Sequence, residues 1–346
     1  MSTRTLLLSA YRSDSHAVWS DWLTRNIAGV DWRVLELPGR HFAWRIRGNP
    51  LSWLDKIGDE SPDLILATSM VDLATLKGLK PHLAPVPAWY YFHENQFAYP
   101  MSRQQVRSIE PRMVQLYGAL AADRLLFNSR FNCDSFLDGV DELLEMMPDG
   151  IPPGLRDRLA PRCDVLPVPV EPIPASRQRD RRLIVWNHRW EYDKGPELFA
   201  EAMIRLDEAG ADFRLALLGK RAAEPPEPLR RLRRALPHRI EADGQLPDDD
   251  YRQLLGRAGI AVSTAIHEFQ GISMLEATSA GARPLVPDAL CYPEQYPQQY
   301  RYPAGSMTAL VERLKAWLDG SMPAPCPVDA WLAASTGGRW QTRLAG

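Results

Sequence analysis

The chain has 346 residues, of which 45% are hydrophobic and 24% charged, and this composition is typical of a soluble globular protein. The length allows two domains of ordinary size. A formal net charge of −2 excludes a general electrostatic attraction to nucleic acid, so RNA contact would require a local basic patch. The four cysteines are far apart and form no C-x-x-C pair, which excludes the usual zinc and disulfide patterns.

The start of the chain is a short apolar strand without the architecture of a signal peptide. No apolar run approaches the roughly 18 residues that a membrane span requires. We therefore expect a cytoplasmic protein that does not associate with membranes. Nothing in the sequence indicates an obligate protein partner.

Apolar runs alternate with helical segments along the first half of the chain. The predicted strands cover residues 5–10, 32–37, 64–68, 88–92 and 124–128. A helix is predicted over 15–27, with Trp19, Trp22 and Leu23 on one face. This alternation indicates a parallel sheet that is covered by helices on both faces.

Prolines are frequent between residues 148 and 174, and the polar segment 177–182 follows them. A second series then begins, with predicted strands at 183–187, 213–219, 259–264 and 283–286 and predicted helices at 196–209, 226–236, 248–257, 272–280 and 305–319. We predict a first domain at 1–172, a second at 173–325 and a tail at 326–346. Trp331 and Trp340 lie on a helix-like stretch of this tail.

The segment 267–277, HEFQGISMLEA, separates two glutamates by seven residues. Gly271 precedes a short apolar helix and Gly281 is placed to end it. Glu268 therefore lies on the loop before the helix, and Glu276 lies about one turn inside it. The unpaired backbone amides at such a helix start favour anions, and here they belong to Gly271, Ile272 and Ser273. A sugar nucleotide would suit this segment, because it offers a diphosphate to the amides and hydroxyls to the carboxylates.

Polar side chains also follow the first strand of the second series, in the segment 187–195, NHRWEYDKG. Arg189 and Lys194 are five residues apart on this strand-end loop, where they can converge on a diphosphate. Negative charge grows on a nucleoside diphosphate as it leaves, so fixed cations there would stabilise the transition state. The alternative is an exposed polar loop.

Three strands of the first series also end in polar residues. The resulting candidates for substrate contact or catalysis are His93, Glu94, Asn95, Gln96, Ser15, His16, Asn128 and Ser129. Two structural alternatives stay open, because Ser13 or Asp14 could simply cap the first helix. The Asn128–Ser129 pair could likewise begin the next helix as its N-cap.

The segment 37–48 interleaves basic and aromatic residues, and Arg45 and Arg47 with Trp44 could contact phosphate and a nucleobase. A second arginine-rich stretch, 228–239, has the pattern of a solvated helix face. Local RNA contact would therefore fall on the first segment, where Arg40 adds a further base.

The segments 267–277 and 187–195 resemble the E-x7-E and Arg…Lys-Gly elements of the retaining GT-B glycosyltransferases of family 4. The first half, over roughly residues 5–172, resembles one subgroup of that family, the tRNA-queuosine α-mannosyltransferases. The elements that carry this likeness are Ser15-His16, Pro38…Trp44-Arg45-Ile46-Arg47, Tyr91-Phe92-His93-Glu94-Asn95-Gln96…Tyr99-Pro100 and Phe127-Asn128-Ser129. The chain departs from the wider family after the first strand, where Ser13 and Asp14 replace a glycine-rich turn.

This resemblance implies an α/β GT-B fold, in which two Rossmann-like, doubly wound domains face each other across a cleft and the tail crosses back to the first domain. It also implies retaining transfer of mannose from GDP-mannose to the cyclopentenediol of queuosine in a tRNA anticodon. Glu276 would then hold the ribose hydroxyls, and Glu268 the sugar hydroxyls. Arg189 and Lys194 would hold the diphosphate together with the helix start, and His93 would support the sugar. The resemblance further implies no metal and no cofactor other than the nucleotide-sugar donor.

Three other functions stay open from the sequence. One is a family 4 enzyme that acts on a lipid, a polysaccharide or a small molecule. With a lipid or polysaccharide acceptor it would be expected to carry a basic amphipathic helix near its N-terminus, whereas the helix at 15–27 has few bases. A non-catalytic RNA-binding protein on this scaffold would not need the glutamates and cations. A sugar-nucleotide epimerase of GT-B fold should lack the Lys-Gly element.

Overall fold

The computed structural model describes residues 2–99, 108–150, 153–221 and 223–345. The chain divides into two compact units, of which unit 1 comprises residues 1–169 and 334–346 and unit 2 comprises residues 170–333. The segment predicted as a tail is thus shared, because residues 326–333 belong to unit 2. Trp331 lies there in a single 3₁₀ turn, Asp329–Trp331, so its prediction on the same helical stretch as Trp340 is wrong.

Unit 1 is built on a six-stranded sheet. Its elements are β1 (Thr3–Arg12), α1 (Asp14–Asn26), β2 (Val30–Pro38), α2 (Phe42–Trp53), β3 (Leu64–Thr68), α3 (Leu73–Leu79), β4 (Ala88–Phe92), α4 (Glu110–Ala121), β5 (Arg124–Phe127), α5 (Arg130–Glu145), α6 (Leu155–Leu159) and β6 (Cys163–Val165). Neighbouring strands are parallel, in the order β2-β1-β3-β4-β5-β6. The chain passes from β1 outward to β2 and then to β3 on the other side of β1, so the carboxyl ends of β1 and β3 flank a topological switch point.

The sheet of unit 1 is covered by apolar side chains, as its near-continuous hydrophobic strands predict. All five residues of β3 are buried. On α1, Trp19 and Leu23 are buried, and Trp19 stacks on Tyr91 of β4 with ring centroids 4.6 Å apart. Trp22, predicted on the same face, is half-buried.

Unit 2 repeats the architecture with another connection pattern. Its elements are β7 (Asp180–Trp186), α7 (Pro196–Glu208), β8 (Arg214–Leu217), α8 (Glu227–Ala235), β9 (Ile240–Asp243), α9 (Asp248–Arg257), β10 (Ala258–Val262), α10 (Ile272–Ser279), β11 (Arg283–Pro287), β12 (Arg301–Tyr302) and α11 (Met307–Ala316). The strands are again parallel, in the order β12-β11-β10-β7-β8-β9. This is the dinucleotide-binding strand order, in which β7 and β10 lie side by side and their carboxyl ends form the switch point.

The last helix, α12 (Ala333–Ala345), packs on unit 1. Trp340 is buried, and its indole N–H donates to the carbonyl oxygen of Pro167 over 3.0 Å. Its ring lies 5.3 Å from that of Tyr91 and 5.8 Å from that of Trp19. The aromatic core of unit 1 is therefore completed by the end of the chain.

Within the described ranges, no helix combines the length and the apolar composition needed to cross a membrane.

Candidate functional site

The loops that follow β7 and β10 are joined by a buried ion pair. Lys194 Nζ lies 3.1 Å from a carboxylate oxygen of Glu268 and 3.1 Å from one of Asp193, and it donates to the carbonyl oxygen of His267 over 3.1 Å. The Asp193 carbonyl in turn accepts the amides of Ile266 and His267, over 2.9 and 3.1 Å. Side chains from both sides of the switch point are thus held in one cluster.

A glycine allows these two loops to approach. Gly195 has φ +62°, and a Cβ at this position would lie 2.2 Å from the carbonyl oxygen of Thr264. Only glycine fits, because a side chain would be both strained and in collision. The Thr264 hydroxyl then donates to the carbonyl oxygen of Lys194 over 2.9 Å, which fixes the backbone beneath the ammonium group. The Lys-Gly element is explained by this close packing.

The ion pair stays charged although it is largely buried, with side-chain exposures of 10% for Lys194 and 17% for Glu268. Burial acts to raise the pKa of Glu268, but the Lys194 ammonium and smaller effects, which include the hydrogen bonds from Lys194 and the Gly271 amide, together lower that pKa to about 2. Burial likewise acts to lower the pKa of Lys194, and the carboxylates of Glu268 and Asp193 raise it instead. A fixed cation and a fixed anion therefore face each other at neutral pH.

His188 belongs to this cluster, although the sequence prediction did not select it. Its ring is buried, and Nδ1 lies 3.4 Å from the Ser273 hydroxyl at the start of α10. Nε2 has no hydrogen-bond partner among the described residues. Burial, and then the nearby Lys194, lower the pKa of His188 to about 4, so the imidazole is neutral at physiological pH. Its place in the strand-end segment 187–195, beside Arg189, is the signal that could have found it.

Glu276 occupies a second polar cluster on the same edge of the sheet. The Tyr251 hydroxyl of α9 donates to a Glu276 carboxylate oxygen over 2.7 Å. Asn187, the residue after β7, donates through its amide to the Tyr251 oxygen over 3.2 Å and to the Ser273 carbonyl over 2.8 Å. Burial raises the pKa of Glu276 above its ordinary value. The carboxylate is thus oriented by two residues that sequence reasoning missed, one of which lies in a different helix.

The helix start at α10 differs in one respect from the prediction. Gly271 is the N-cap residue, with φ +67°, and its carbonyl accepts the first helical hydrogen bond from Met274 over 3.0 Å. The Gly271 amide is not available to an anion, because it hydrogen-bonds to the Glu268 carboxylate and helps to lower the pKa of that group. The amides of Ile272 and Ser273 remain as the first-turn donors.

Arg189 is placed apart from the buried cluster. Its side chain is 44% exposed, and Nη2 lies 3.4 Å from a carboxylate oxygen of Glu191. Arg189 and Lys194 therefore occupy different environments. Lys194 is fixed inside the cluster, whereas Arg189 lies at the surface.

In unit 1, two histidines and a glutamate meet at the carboxyl edge of the sheet. His16 of α1 stacks on His93 with centroids 4.0 Å apart, and its Nε2 lies 3.2 Å from a Glu94 carboxylate oxygen. His93 is only 4% exposed, and neither of its ring nitrogens has a hydrogen-bond partner among the described residues. Burial, and then His16, lower the pKa of His93 well below its ordinary value, so its ring is neutral.

Three predicted substrate contacts form hydrogen bonds within unit 1. Asn95 is buried, and its amide donates to the side-chain oxygen of Asn132 over 2.9 Å. Ser129 caps α5, since its hydroxyl accepts the amide of Asn132 over 3.0 Å. Asn128 donates to the carbonyl oxygen of His93 over 2.8 Å. These hydrogen bonds order the strand-end loops, and for Ser129 they confirm the N-cap alternative. Direct contact of Asn95, Asn128 and Ser129 with a substrate stays a prediction.

The other candidates at the carboxyl edge of the unit 1 sheet are less buried. Ser15 is half-buried in the first turn of α1. Ser13 occupies the N-cap position of that helix, but its side chain makes no capping hydrogen bond. The backbone amide of Gln96 donates to the side-chain oxygen of Gln115 over 2.7 Å. Pro100 of the same motif lies outside the described residues.

The basic and aromatic segment forms most of α2. Arg47 donates to a carboxylate oxygen of Asp72 over 2.8 Å and lies 3.2 Å from one of Glu110, so its charge is compensated within unit 1. A phosphate that bound Arg47 would have to replace one of these carboxylates. Trp44 is 60% exposed, and Arg45 is half-buried one residue further along the helix. Trp44 and Arg45 remain the candidates for RNA contact on this helix.

Comparison with known proteins assigns the two halves of the chain. Residues 4–170 match the family model described as "tRNA-queuosine alpha-mannosyltransferase N-terminal", and residues 171–325 match "Glycosyl transferases group 1". A tRNA-queuosine alpha-mannosyltransferase of Drosophila melanogaster is 34% identical over 323 residues, which cover 89% of this chain and 85% of that protein.

Solved glycosyltransferase structures share the whole architecture. A sucrose-phosphate synthase of Thermosynechococcus elongatus superposes with a TM-score of 0.70 at 13% identity, covering 99% of both chains. The lipopolysaccharide outer core galactosyltransferase WaaB gives 0.69 at 12% identity, covering 99% of this chain and 98% of that one. At these identities the likeness concerns the fold alone, and it confirms the predicted α/β GT-B class. The two family models and the Drosophila relative show that this chain belongs to the tRNA-queuosine α-mannosyltransferase family of glycosyltransferases.

Proposed function

We propose that this chain transfers mannose from GDP-mannose to queuosine in the anticodon of tRNA, with retention of the anomeric configuration. The observation that carries the proposal is the match of residues 4–170 to the N-terminal family model named for this activity. A relative that bears the same name matches across both units at 34% identity. Because tRNA is the acceptor, we place the reaction in the cytoplasm.

In this proposal the nucleotide sugar binds to unit 2, at the carboxyl ends of β7 and β10. Glu276 accepts hydrogen bonds from the ribose hydroxyls, and its orientation by Tyr251 prepares it for that task. The amides of Ile272 and Ser273 donate to the diphosphate, where the helix start supplies a partial positive charge.

The Lys194–Glu268 pair performs two tasks in the transfer. The ammonium group stabilises the charge that grows on the diphosphate as the glycosidic bond breaks. The ionised Glu268 carboxylate accepts hydrogen bonds from sugar hydroxyls and so orients the ring. Their mutual contact at 3.1 Å holds both groups in place before the donor arrives, so little reorganisation is needed. Arg189 contributes a second, more exposed cation from the surface.

His93 and the leaving group complete the mechanism. In family 4 enzymes a histidine at this strand end lies beside the transferred sugar, and we assign that place to His93. The acceptor hydroxyl attacks from the face on which the diphosphate leaves, which accounts for retention. The leaving phosphate oxygen takes the proton of the attacking hydroxyl, so no protein base and no metal is required. The neutral His93 ring can then serve as a hydrogen-bond partner of the sugar.

Sugar transfer to tRNA tests the proposal directly. The chain is incubated with labelled GDP-mannose and with bulk tRNA that either contains or lacks queuosine, and labelled UDP-glucose and UDP-galactose serve as donor controls. We expect label in tRNA only from GDP-mannose and only when queuosine is present. Donor hydrolysis without label in either tRNA would retain a glycosyltransferase but refute the tRNA acceptor. Label in a lipid or polysaccharide extract would favour the alternative family 4 acceptors.

A further inference from the structure

Ser273, the second residue of α10, is contacted by both residues that follow β7. The side-chain amide of Asn187 donates to the Ser273 carbonyl oxygen over 2.8 Å. The hydroxyl oxygen of Ser273 lies 3.4 Å from Nδ1 of His188, the residue after Asn187. Ser273 is half-buried, whereas Asn187 and His188 are both buried. Two buried residues thus fix a more exposed one at the carboxyl edge of unit 2, where such sheets bind ligands.

The imidazole of His188 is itself fixed by its surroundings. Its ring meets the Trp186 ring edge to face, with centroids 5.4 Å apart. Its carbonyl oxygen lies 2.0 Å from the place that a Cβ of Gly219 would take, so the loop after β8 packs directly against the backbone of His188. His188 therefore presents Nδ1 to the Ser273 hydroxyl in a defined direction.

The position of the proton on His188 decides what the Ser273 hydroxyl can do. The ring is neutral at physiological pH, because burial and the Lys194 ammonium lower the pKa of His188 to about 4. Nε2 is buried without a hydrogen-bond partner among the described residues, so a proton there would leave a buried N–H without an acceptor. A proton on Nδ1 can instead be donated to the Ser273 oxygen. We therefore place the proton on Nδ1, and the Ser273 hydroxyl keeps its own hydrogen for another acceptor.

We propose that the Ser273 hydroxyl donates a hydrogen bond to the diphosphate of the sugar nucleotide, and that His188 positions this hydroxyl. The inference rests on the proposed function, because it takes a nucleoside diphosphate as the leaving group. The Ser273 amide is a first-turn donor of α10, so one residue would present two donors to one anion. The hydroxyl contact would strengthen as negative charge grows on the leaving oxygens. His188 is a positioning residue in this account, since it acts on the diphosphate only through Ser273.

Nucleotide binding by the full chain, measured by isothermal titration calorimetry, separates the hydroxyl contact from general damage to the site. GDP is compared with guanosine, which lacks the diphosphate, and UDP is compared with uridine in the same way. We expect Ser273→Ala to weaken GDP binding about 10-fold and to leave guanosine binding unchanged. His188→Phe removes the ring N–H and should weaken GDP binding by a similar factor. His188→Asn should stay within about 3-fold of the wild type, because its side-chain amide can replace the Nδ1–H donor.

A double-mutant cycle tests whether His188 acts through Ser273. In the Ser273→Ala background, His188→Phe should weaken GDP binding by less than about 2-fold, because the hydroxyl that His188 positions is already absent. His238→Asn is the matched control, because His238 is an exposed histidine of unit 2 that lies 3.6 Å from Asp207. This variant should bind GDP like the wild type, and thermal unfolding of all variants verifies that each is folded.

Several results would overturn the inference. They are wild-type affinity for GDP in folded Ser273→Ala, an equal loss of affinity for guanosine, and a His188→Phe effect of the same size in both backgrounds. Tighter GDP binding by His188→Phe would also overturn it, because Ser273 would then be donating to Nδ1. A wild type that binds neither GDP nor UDP would do the same. Binding of UDP alone, or failure to mannosylate queuosine, would instead refute the proposed function, while the effect of Ser273→Ala on the diphosphate that binds still decides the inference.

Discussion

Replacement of Lys194 by methionine is the most informative perturbation of unit 2. The variant keeps most of the apolar stem but removes the ammonium group that Asp193 and Glu268 share. The pKa of Glu268, about 2 in the folded protein against an ordinary 4.5, corresponds to about 3 kcal/mol of stabilisation at neutral pH. Because the site is not fully enclosed and can relax, we expect Lys194→Met to lower the free energy of unfolding by about 2–3 kcal/mol at pH 7.

The stabilisation by Glu268 should depend on pH in a defined direction. The pKa of Glu268 is depressed in the folded state, so its stabilisation is fully present above pH 4.5 and is lost as the pH falls toward 2. The stability of Lys194→Met should fall less between pH 4.5 and pH 2, because Glu268 in this variant has no ammonium partner. Urea denaturation, followed by tryptophan fluorescence at neutral and acidic pH, measures both quantities.

Lys194→Met should reduce the rate of mannose transfer as well, and this effect should be at least as large as the effect on stability. Loss of a fixed charge at the leaving group costs about 2–4 kcal/mol of transition-state stabilisation, which is a fall of roughly 30- to 1000-fold in the rate of mannose transfer. Lys315→Met is the matched control, because Lys315 forms an exposed pair with Asp319 at 2.8 Å and should cost less than about 1 kcal/mol. A Lys194→Met protein with near-normal turnover and wild-type stability would refute the reasoning.

Three further variants test separate contacts. The pKa of His188 is about 4 in the folded protein against an ordinary 6.5, so the free energy of unfolding of the wild type should fall by up to about 3 kcal/mol as the pH falls from 6.5 to 4. Urea titrations of His188→Asn should not show this fall. The same pH profile in the variant and the wild type would contradict this prediction. Tyr251→Phe removes the 2.7 Å bond to Glu276, and steady-state kinetics should show a KM for the donor raised about 5-fold with little change in kcat; an unchanged KM would count against the ribose assignment. Ser129→Ala should cost about 1 kcal/mol of stability through its lost cap, and a large rise in the KM for tRNA would restore Ser129 as a substrate contact.

The two chemical segments of unit 2 were predictable because each follows a buried apolar strand and carries an unusual set of polar residues. Glu268 and Glu276 lie, as expected, on the loop before α10 and inside its second turn. The Lys194–Glu268 contact was not predictable, since it joins residues 74 positions apart and depends on β7 and β10 being neighbours. Tyr251 was missed for the same reason, because only the packing of α9 against α10 brings its hydroxyl to Glu276.

Two strand predictions agree with the structure residue for residue. The predictions at 64–68 and 88–92 coincide with β3 and β4. The short strands β6, β9 and β12 were missed, because two to four residues of mixed polarity carry no period that distinguishes them from loops. The loop-ordering hydrogen bonds of Asn95 and Ser129 were not predictable, because polar residues at a strand end can serve either a ligand or the loop itself.

The central claim is that the chain places mannose on queuosine in tRNA. The most direct measurement digests tRNA to nucleosides after incubation with the enzyme and GDP-mannose, and analyses them by liquid chromatography and mass spectrometry. We expect the queuosine peak to disappear. A single new nucleoside should appear, which is heavier by one mannosyl residue and carries that residue as the α-anomer. Queuosine that stays unmodified while GDP-mannose is consumed, or a mannosyl group on any other nucleoside, would contradict it.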